Sequence, residues 1–404
     1  MAVGQCNFPD MFNVAGITLG TACAGIKQKV KDDILVIQMA EQSTCAAVFT
    51  RNSFCAAPVH VAKANLAHGP RWLLVNSGNA NAGTGKQGMQ DALLSCSELA
   101  KVAGGAANQV LPFSTGVIGQ PLPVGKITAA LPEAIKNLSL DNWDKAARAI
   151  MTTDTFPKGV SKIITIEGHS ITINGISKGA GMIQPNMATM LAFIATDAKI
   201  NQALLQNCLA LAVEQSFNRI TVDGDTSTND ACVVMASGSS AAPEITVDRE
   251  YYSIFSDALM TVCKQLAEAI VRDGEGATKL MRIVVKEALE IEEAVRVGKT
   301  IAHSPLVKTA FFASDPNWGR ILAAVGRSGI ENMVLENVQI YLDDVCIVRN
   351  GERADDYTEE AGQQVMNQEE ITVTVKLGRG KAVQEVLTCD LSYDYVKINA
   401  EYRT

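Results

Sequence analysis

Thr189 stands in a run, Lys178-Gly179-Ala180-Gly181-Met182-Ile183-Gln184-Pro185-Asn186-Met187-Ala188-Thr189-Met190-Leu191, that sets one hydroxyl at the lip of an apolar segment. The small residues let backbone approach backbone or ligand closely. Pro185 removes a donor and fixes a turn, and Asn186 favours the same bend. The residues after Thr189, MLAFIA, read as a buried strand. By spacing alone this is a glycine-marked turn entering a core strand, with Thr chosen for β-propensity. Cutting the Ala188–Thr189 peptide would add a different chemistry. Thr189 would then carry a hydroxyl and a free α-amine on one residue, and the amine can act as base for its own hydroxyl. Such an amine has an unperturbed pKa of about 7.7–8.0, where a general base works at neutral pH.

Other residues have chemistry to offer at defined places. Ser114-Thr115-Gly116 follows a short apolar run and precedes a helical stretch. It can be an ordinary capped turn, or the Thr115 hydroxyl and Gly116 N–H can face a developing oxyanion. Lys178, at the end of a strand before the glycines, is a compact cation suited to a substrate carboxylate. Glu275 lies between Gly274 and Gly276 after a long helix. Gly274 is a good helix stop, and a carboxylate there is well placed to receive an ammonium. The acidic stretch from Asp223 to Asp230 fails the calcium-loop template, with Thr228 where glycine is needed and Val234 where glutamate is needed. It reads as a hydrogen-bonded loop supporting a site. Gly83-Thr84-Gly85-Lys86 is no phosphate loop, since Ala80 replaces its first glycine. The four histidines, His60, His68, His169 and His303, are dispersed and give no metal pair.

The elements that must hold these residues alternate irregularly between strand and helix. Residues 33–38, 72–76 and 109–112 read as strands, and 161–176 as a hairpin turning at Glu167-Gly168. Residues 86–102, 124–138 and 203–217 read as helices. The clearest are 203–217 and Tyr251–Arg272, the second of which sets Ile254, Leu259, Val262, Leu266 and Ile270 near one face. Residues 281–285 are followed by a helix, and 337–398 are β-rich. The mixture predicts α/β layers with much antiparallel pairing. With 47% apolar and 19% charged residues, the 404-residue chain is a packed globular protein of one large or two moderate domains. No apolar stretch reaches a membrane span, and MAVGQCNFPD does not read as a signal peptide. A net charge of −8 argues against a nucleic-acid surface. Ten scattered cysteines without a Cys-x-x-Cys read as reduced thiols, so the expected compartment is the cytoplasm.

The run from Lys178 to Leu191 resembles the self-cleavage signature of the ornithine acetyltransferase family, also called glutamate N-acetyltransferase. The resemblance extends nearly end to end. It includes TCAAVFTRNSFCAAPV at 44–59, NSGNAN at 76–81, STGVIG at 114–119, ITVDGDTSTND at 220–230, RDGEGATK at 272–279, SPLVKTA at 304–310 and DPNWGRI at 315–321. It implies an αββα layered sandwich with a smaller C-terminal α/β lobe, divided here as residues 1–285 and 286–404. It implies self-cleavage between Ala188 and Thr189 into chains 1–188 and 189–404 that stay together, expected as an α2β2 heterotetramer. Thr189 becomes the nucleophile, Thr115 and Gly116 the oxyanion hole. Thr152, Lys178, Thr189, Glu275, Asn399 and Thr404 become substrate contacts, although 399–404 would by default be a frayed tail. The implied reaction moves an acetyl group from N2-acetyl-L-ornithine to L-glutamate without metal or cofactor. Family members differ in whether acetyl-coenzyme A also serves as donor; the sequence leaves this open, and the bifunctional reading is preferred. Two rivals remain: a related N-terminal-nucleophile hydrolase or aminopeptidase, which would pass the acyl group to water, and a non-catalytic binding protein on the same fold, which would need no free Thr amine.

Overall fold

The computed structural model describes residues 3–4, 7–27, 31–184, 190–247 and 250–401. In chain order, the first strands are β1 (Ile17–Ala22), β2 (Ile34–Met39), β3 (Thr44–Phe49), β4 (Trp72–Asn79), β5 (Val110–Val117), β6 (Lys158–Ile166), β7 (His169–Lys178), β8 (Leu191–Thr196) and β9 (Ala231–Ala236). They form two sheets, ordered β1-β2-β4-β5 and β3-β9-β8-β7-β6. Between these run helices α1 (Ala57–Asn65), α2 (Gly85–Ala103), α3 (Val124–Lys136), α4 (Trp143–Ile150), α5 (Gln202–Glu214) and α6 (Tyr251–Arg272).

The strands bury side chains on both faces, which explains their continuous apolar runs. Leu35, Ile37, Leu73, Val75 and Phe113 of the first sheet meet Ile176, Phe193 and Val233 of the second in one core. The opposite face of the first sheet, with Val36 and Leu74, packs under Leu99 of α2 and Leu131 of α3. The opposite face of the second, with Ile173, Ile194 and Val234, packs under Leu209 of α5 and Leu259, Val262, Leu266 and Ile270 of α6. Each such side chain contributes about 1.5–3 kcal/mol through burial. The result is an αββα sandwich, as the family resemblance implies. Its second sheet joins β8 and β9 to β7 and β3, so strands from both sides of residue 188 share one hydrogen-bonded layer.

The C-terminal part builds a third sheet from β10 (Leu280–Ala288), β11 (Gln339–Leu342), β12 (Val345–Arg349), β13 (Glu352–Arg353), β14 (Glu370–Lys376) and β15 (Ala382–Cys389), ordered β13-β12-β11-β14-β10-β15. Its helices are α7 (Ile291–Ala302), α8 (Pro305–Phe312), α9 (Trp318–Gly326), α10 (Glu359–Met366) and α11 (Tyr393–Ala400). β10 spans the expected 285/286 junction. The hairpin is as predicted, with Ile166 opposite His169 and Glu167 and Gly168 both at positive φ. Two expectations need correction. The β-rich reading of 337–398 missed α10 and α11, and Asn399 belongs to α11 and not to a frayed end. Among the described residues no helix is long and apolar enough to cross a membrane.

Candidate active site

At one end of the sandwich the two sheets leave a cavity of roughly 230 Å³, a size for a small metabolite. Thr115, Gly116, Thr152, Lys178, Glu275 and Asn399 all line it. The structure thus gathers six of the residues singled out from the sequence. Ala188, Thr189 and Thr404 lie outside the described residues.

Thr115 and Gly116 lie near the end of β5, just before its last residue Val117, where its parallel pairing with β4 becomes irregular at Gly78 and Asn79. Gly116 has φ +134°, and a Cβ there would lie 2.5 Å from Asn79 N and 2.6 Å from Gly78 O. Only glycine fits that approach. Asn229 fixes the turn from the other sheet: its Nδ2 donates to Ala80 O at 2.6 Å and to Ser114 O at 2.9 Å. The Ser114 hydroxyl in turn donates to Asn76 Oδ1 at 2.6 Å. A stretch held this way presents its hydroxyl and N–H without reorganising, which is what an oxyanion site requires.

Lys178 closes β7, in register with Leu191 of β8, which is itself in register with Ala231 of β9. One row across three strands therefore leads from Lys178 to Ala231, the residue after Asp230. Among the described residues no hydrogen bond or ion pair ties down the half-buried Lys178 ammonium. Glu275 is buried, with its N–H donating to Ala180 O at 2.8 Å. Asn399 Nδ2 donates to Glu275 Oε2 at 2.8 Å. A Cβ on Gly181 would come 2.6 Å from Glu275 Oε1, so the carboxylate lies directly over a glycine. α11 buries no side chain; its Tyr393 ring meets Phe312 edge-on, and polar contacts hold its start. Ser392 caps it and donates to Gly276 O at 2.6 Å, and Asp390 accepts from Thr278 N and Lys279 N.

Beneath the cavity lies a buried charge cluster that sequence reasoning missed. Lys158 Nζ sits 2.6 Å from Asp154 Oδ1 and 2.6 Å from Asp273 Oδ2, with all three side chains at most 1% exposed. Asp154 also accepts from Thr152 N at 2.9 Å and Gly179 N at 2.7 Å, and Asp273 accepts from Thr155 N at 3.0 Å. The cluster thereby ties together the Thr152 turn, the Lys178–Gly179 step and the segment before Glu275. Burial raises the Asp154 carboxyl, but Lys158 and Lys178 outweigh it and hold the group well below the usual carboxylate range. Asp273 goes the other way: burial and the neighbouring Asp154 charge prevail over Lys158. Asp273 adjoins the Gly274-Glu275 motif, but nothing in the sequence pairs it with residue 158.

Asp223, the first residue of the rejected calcium motif, accepts from Met182 N at 2.6 Å and Ile183 N at 2.9 Å. It supports the loop that leads towards residue 188.

Fold and cavity define an αββα protein with an interior small-molecule site, and comparison with known proteins places it further. The ArgJ family model matches residues 18–404, and the chain belongs to the ArgJ family. It is 63% identical over 391 residues to the arginine biosynthesis bifunctional protein ArgJ of Methylococcus capsulatus, covering 97% of this chain and 96% of that one. The protein of the same name from Pseudomonas fluorescens is 54% identical over 405 residues, covering 100% of both. Among solved structures, the arginine biosynthesis bifunctional protein ArgJ of Bacillus halodurans is 41% identical with a TM-score of 0.49, covering 50% of this chain and 95% of that one.

Proposed function

We propose that this cavity transfers the acetyl group of N2-acetyl-L-ornithine to L-glutamate through an acetyl-threonine intermediate. The chain cuts itself between Ala188 and Thr189, freeing the Thr189 α-amine. That amine takes the proton of the Thr189 hydroxyl as the oxygen attacks the acetyl carbonyl. The tetrahedral oxyanion accepts hydrogen bonds from the Thr115 hydroxyl and the Gly116 N–H. Collapse breaks the carbon–nitrogen bond, the proton passes to the departing amine, and ornithine leaves with the acetyl group on Thr189. The α-amine of glutamate then attacks the ester, and N-acetylglutamate departs as the Thr189 hydroxyl is restored.

Donor and acceptor share their α-carbon groups, and the cavity offers matching charges. Lys178 takes the α-carboxylate, and Glu275, steadied by Asn399, faces the α-nitrogen; Thr152 and Thr404 complete the contacts. Each step uses groups of the chain and its substrates, with no metal or cofactor. Acetyl-coenzyme A enters as a second donor, a reading supported by the word bifunctional in the names of the relatives. The products 1–188 and 189–404 remain joined, since β8 and β9 lie in the sheet that β3 and β7 complete, and we assign them an α2β2 assembly in the cytoplasm. The sandwich (1–285) carries the nucleophile, and the C-terminal lobe (286–404) supplies Asn399 and Thr404.

The observation that carries this reading is one cavity gathering Thr115, Gly116, Lys178, Glu275 and Asn399 from both sides of the 188/189 junction. The test combines mass analysis of denatured protein with an assay of acetylornithine and labelled glutamate, repeated with acetyl-coenzyme A. Two fragments, the second beginning Thr-Met-Leu-Ala, and labelled N-acetylglutamate are expected. Thr189→Ala should stay a single chain without activity. Release of acetate without transfer would mean a hydrolase, and an active preparation of intact chain alone would remove the mechanism.

A further inference from the structure

Asp230 stands at the cavity wall with one carboxyl oxygen unpaired among the described residues. Its backbone is fixed from both sides. Its carbonyl accepts from Thr50 N at 2.9 Å, and the next residue, Ala231, donates to Met190 O at 3.0 Å. The residue before it, Asn229, is the one that clamps Ser114 and Ala80. The Asp230 side chain is therefore held in place at the wall. The residue is 3% exposed and lines the cavity, and Oδ2 has no hydrogen-bond partner among the described residues. Leaving such an oxygen unpaired is costly, so a group that arrives with the ligand is the natural partner.

The surroundings indicate what that group is. Burial drives the Asp230 carboxyl well above its ordinary range, and hydrogen bonds from Ser227 and the charge of Lys178 do not reverse this. The titratable groups facing it are Lys178 on β7 and Cys55 in the segment before α1. A neutral carboxylic acid is a hydrogen-bond donor, and the oxygen without a partner is the better seat for its proton. An anionic Asp230 would instead compete with an incoming carboxylate for Lys178. Ala231, in the row with Lys178 and Leu191, directly follows Asp230, and Lys178 lies near enough for its charge to act on the Asp230 carboxyl.

We propose that Asp230 is a second anchor for the substrate carboxylate, donating its carboxyl hydrogen to the same group that Lys178 pairs with. This rests on the reading of Lys178 given above. Asp230 is a positioning residue: it takes no part in bond making, and its effect falls on substrate affinity.

The experiment compares wild type, Asp230→Asn, Asp230→Ala and Lys178→Met as full chains, measuring KM and kcat for acetylornithine and glutamate from about pH 6 to 10. Asp230→Ala should raise KM for both substrates about ten- to a hundredfold, with a smaller change in kcat. Asp230→Asn keeps a donor, so its KM should stay within about threefold of wild type. It should also lose whatever alkaline decline of kcat/KM comes from ionisation of Asp230. If Asp230→Ala does not fold, Asp230→Asn decides alone, since a carboxyl needed as an anion would be lost there too. A KM for Asp230→Asn raised ten times or more, or a wild-type KM in Asp230→Ala, would overturn the proposal. An unchanged KM in Lys178→Met would remove the underlying reading of Lys178, and with it the shared carboxylate seat. A raised KM in Lys178→Met beside a wild-type Asp230→Ala would remove the Asp230 anchor alone.

Discussion

In Lys158→Met the ammonium that lies 2.6 Å from both Asp154 and Asp273 disappears while the side-chain volume is nearly kept. Removing one partner of a buried ion pair costs about 3–5 kcal/mol, because the other charge is left without compensation. Here two carboxylates lose their cation, yet the cost should not double. Asp273 is already pushed towards its neutral form by burial and by Asp154, so it takes a proton. Asp154 keeps the N–H groups of Thr152 and Gly179. The expected loss near pH 7 is therefore about 3–5 kcal/mol, a large part of the 5–15 kcal/mol that a typical fold has. The sign of its pH dependence follows. Asp154 is held below its ordinary value in the folded protein, so its stabilisation is present above the unfolded pKa of about 3.9 and is lost as pH falls. Acidification should weaken wild type more than the variant and narrow the gap between them. Urea denaturation of both proteins at pH 7 and again at about pH 3, below the unfolded value, at one protein concentration, measures this. Activity should fall too, because the same cluster holds the Thr152 turn and the Lys178–Gly179 step. A loss below about 1 kcal/mol at pH 7 would refute the reasoning. So would a deficit that persists undiminished when Asp154→Asn and Asp273→Asn are added, since the uncompensated charges are then gone.

Three further outcomes follow from the same geometry. Gly116→Ala should lower kcat about 100- to 1,000-fold with little change in KM, because its Cβ would meet Asn79 N and Gly78 O and displace an oxyanion donor; a wild-type kcat would remove Gly116 from the oxyanion site. Glu275→Gln should raise KM about tenfold while fragment formation is unchanged, since an amide keeps the shape but not the charge offered to the α-nitrogen; kinetic constants equal to wild type would end that assignment. Burial, with Lys299, Lys308 and Arg327 nearby, pulls the His303 pKa down to about 4. The folded protein thus keeps His303 neutral, and the stability this provides is full above about pH 6.5 and lost as pH falls towards 4. His303→Gln should flatten the stability curve in that window by about 1–2 kcal/mol, allowing for partial exposure, as urea titrations across the range would measure.

The parts of this fold that announce themselves in sequence are those whose pattern is local. α6 repeats its apolar side chains at helical spacing, and the 158–178 hairpin has β-branched arms and a Glu-Gly turn. β1, β3 and β9 are six-residue strands buried largely on both faces, so their apolar runs carry no period to separate them from buried helix. α11 is harder still: it buries no residue, and what docks it is one ring contact, Tyr393 on Phe312, with polar contacts of Asp390 and Ser392 to 276–279. The site divides along the same line. Thr115, Gly116, Lys178 and Glu275 stand beside glycines or at strand ends, where a chemical role can be argued from neighbours in the chain. Asp154, Lys158, Asp273, Asn229 and Asp230 have no such local mark. Lys158 meets Asp273 across 115 positions, and Asn229 meets Ser114 across another 115. These are also the residues that fix where the legible ones point. Removing a direct contact should weaken a step or an affinity. Removing one of these buried partners should loosen several contacts at once, because each holds more than one segment of the cavity wall. That difference explains why Lys158, far from the chemistry in sequence and without a motif of its own, should matter to both stability and turnover, whereas Glu275 should matter to affinity alone.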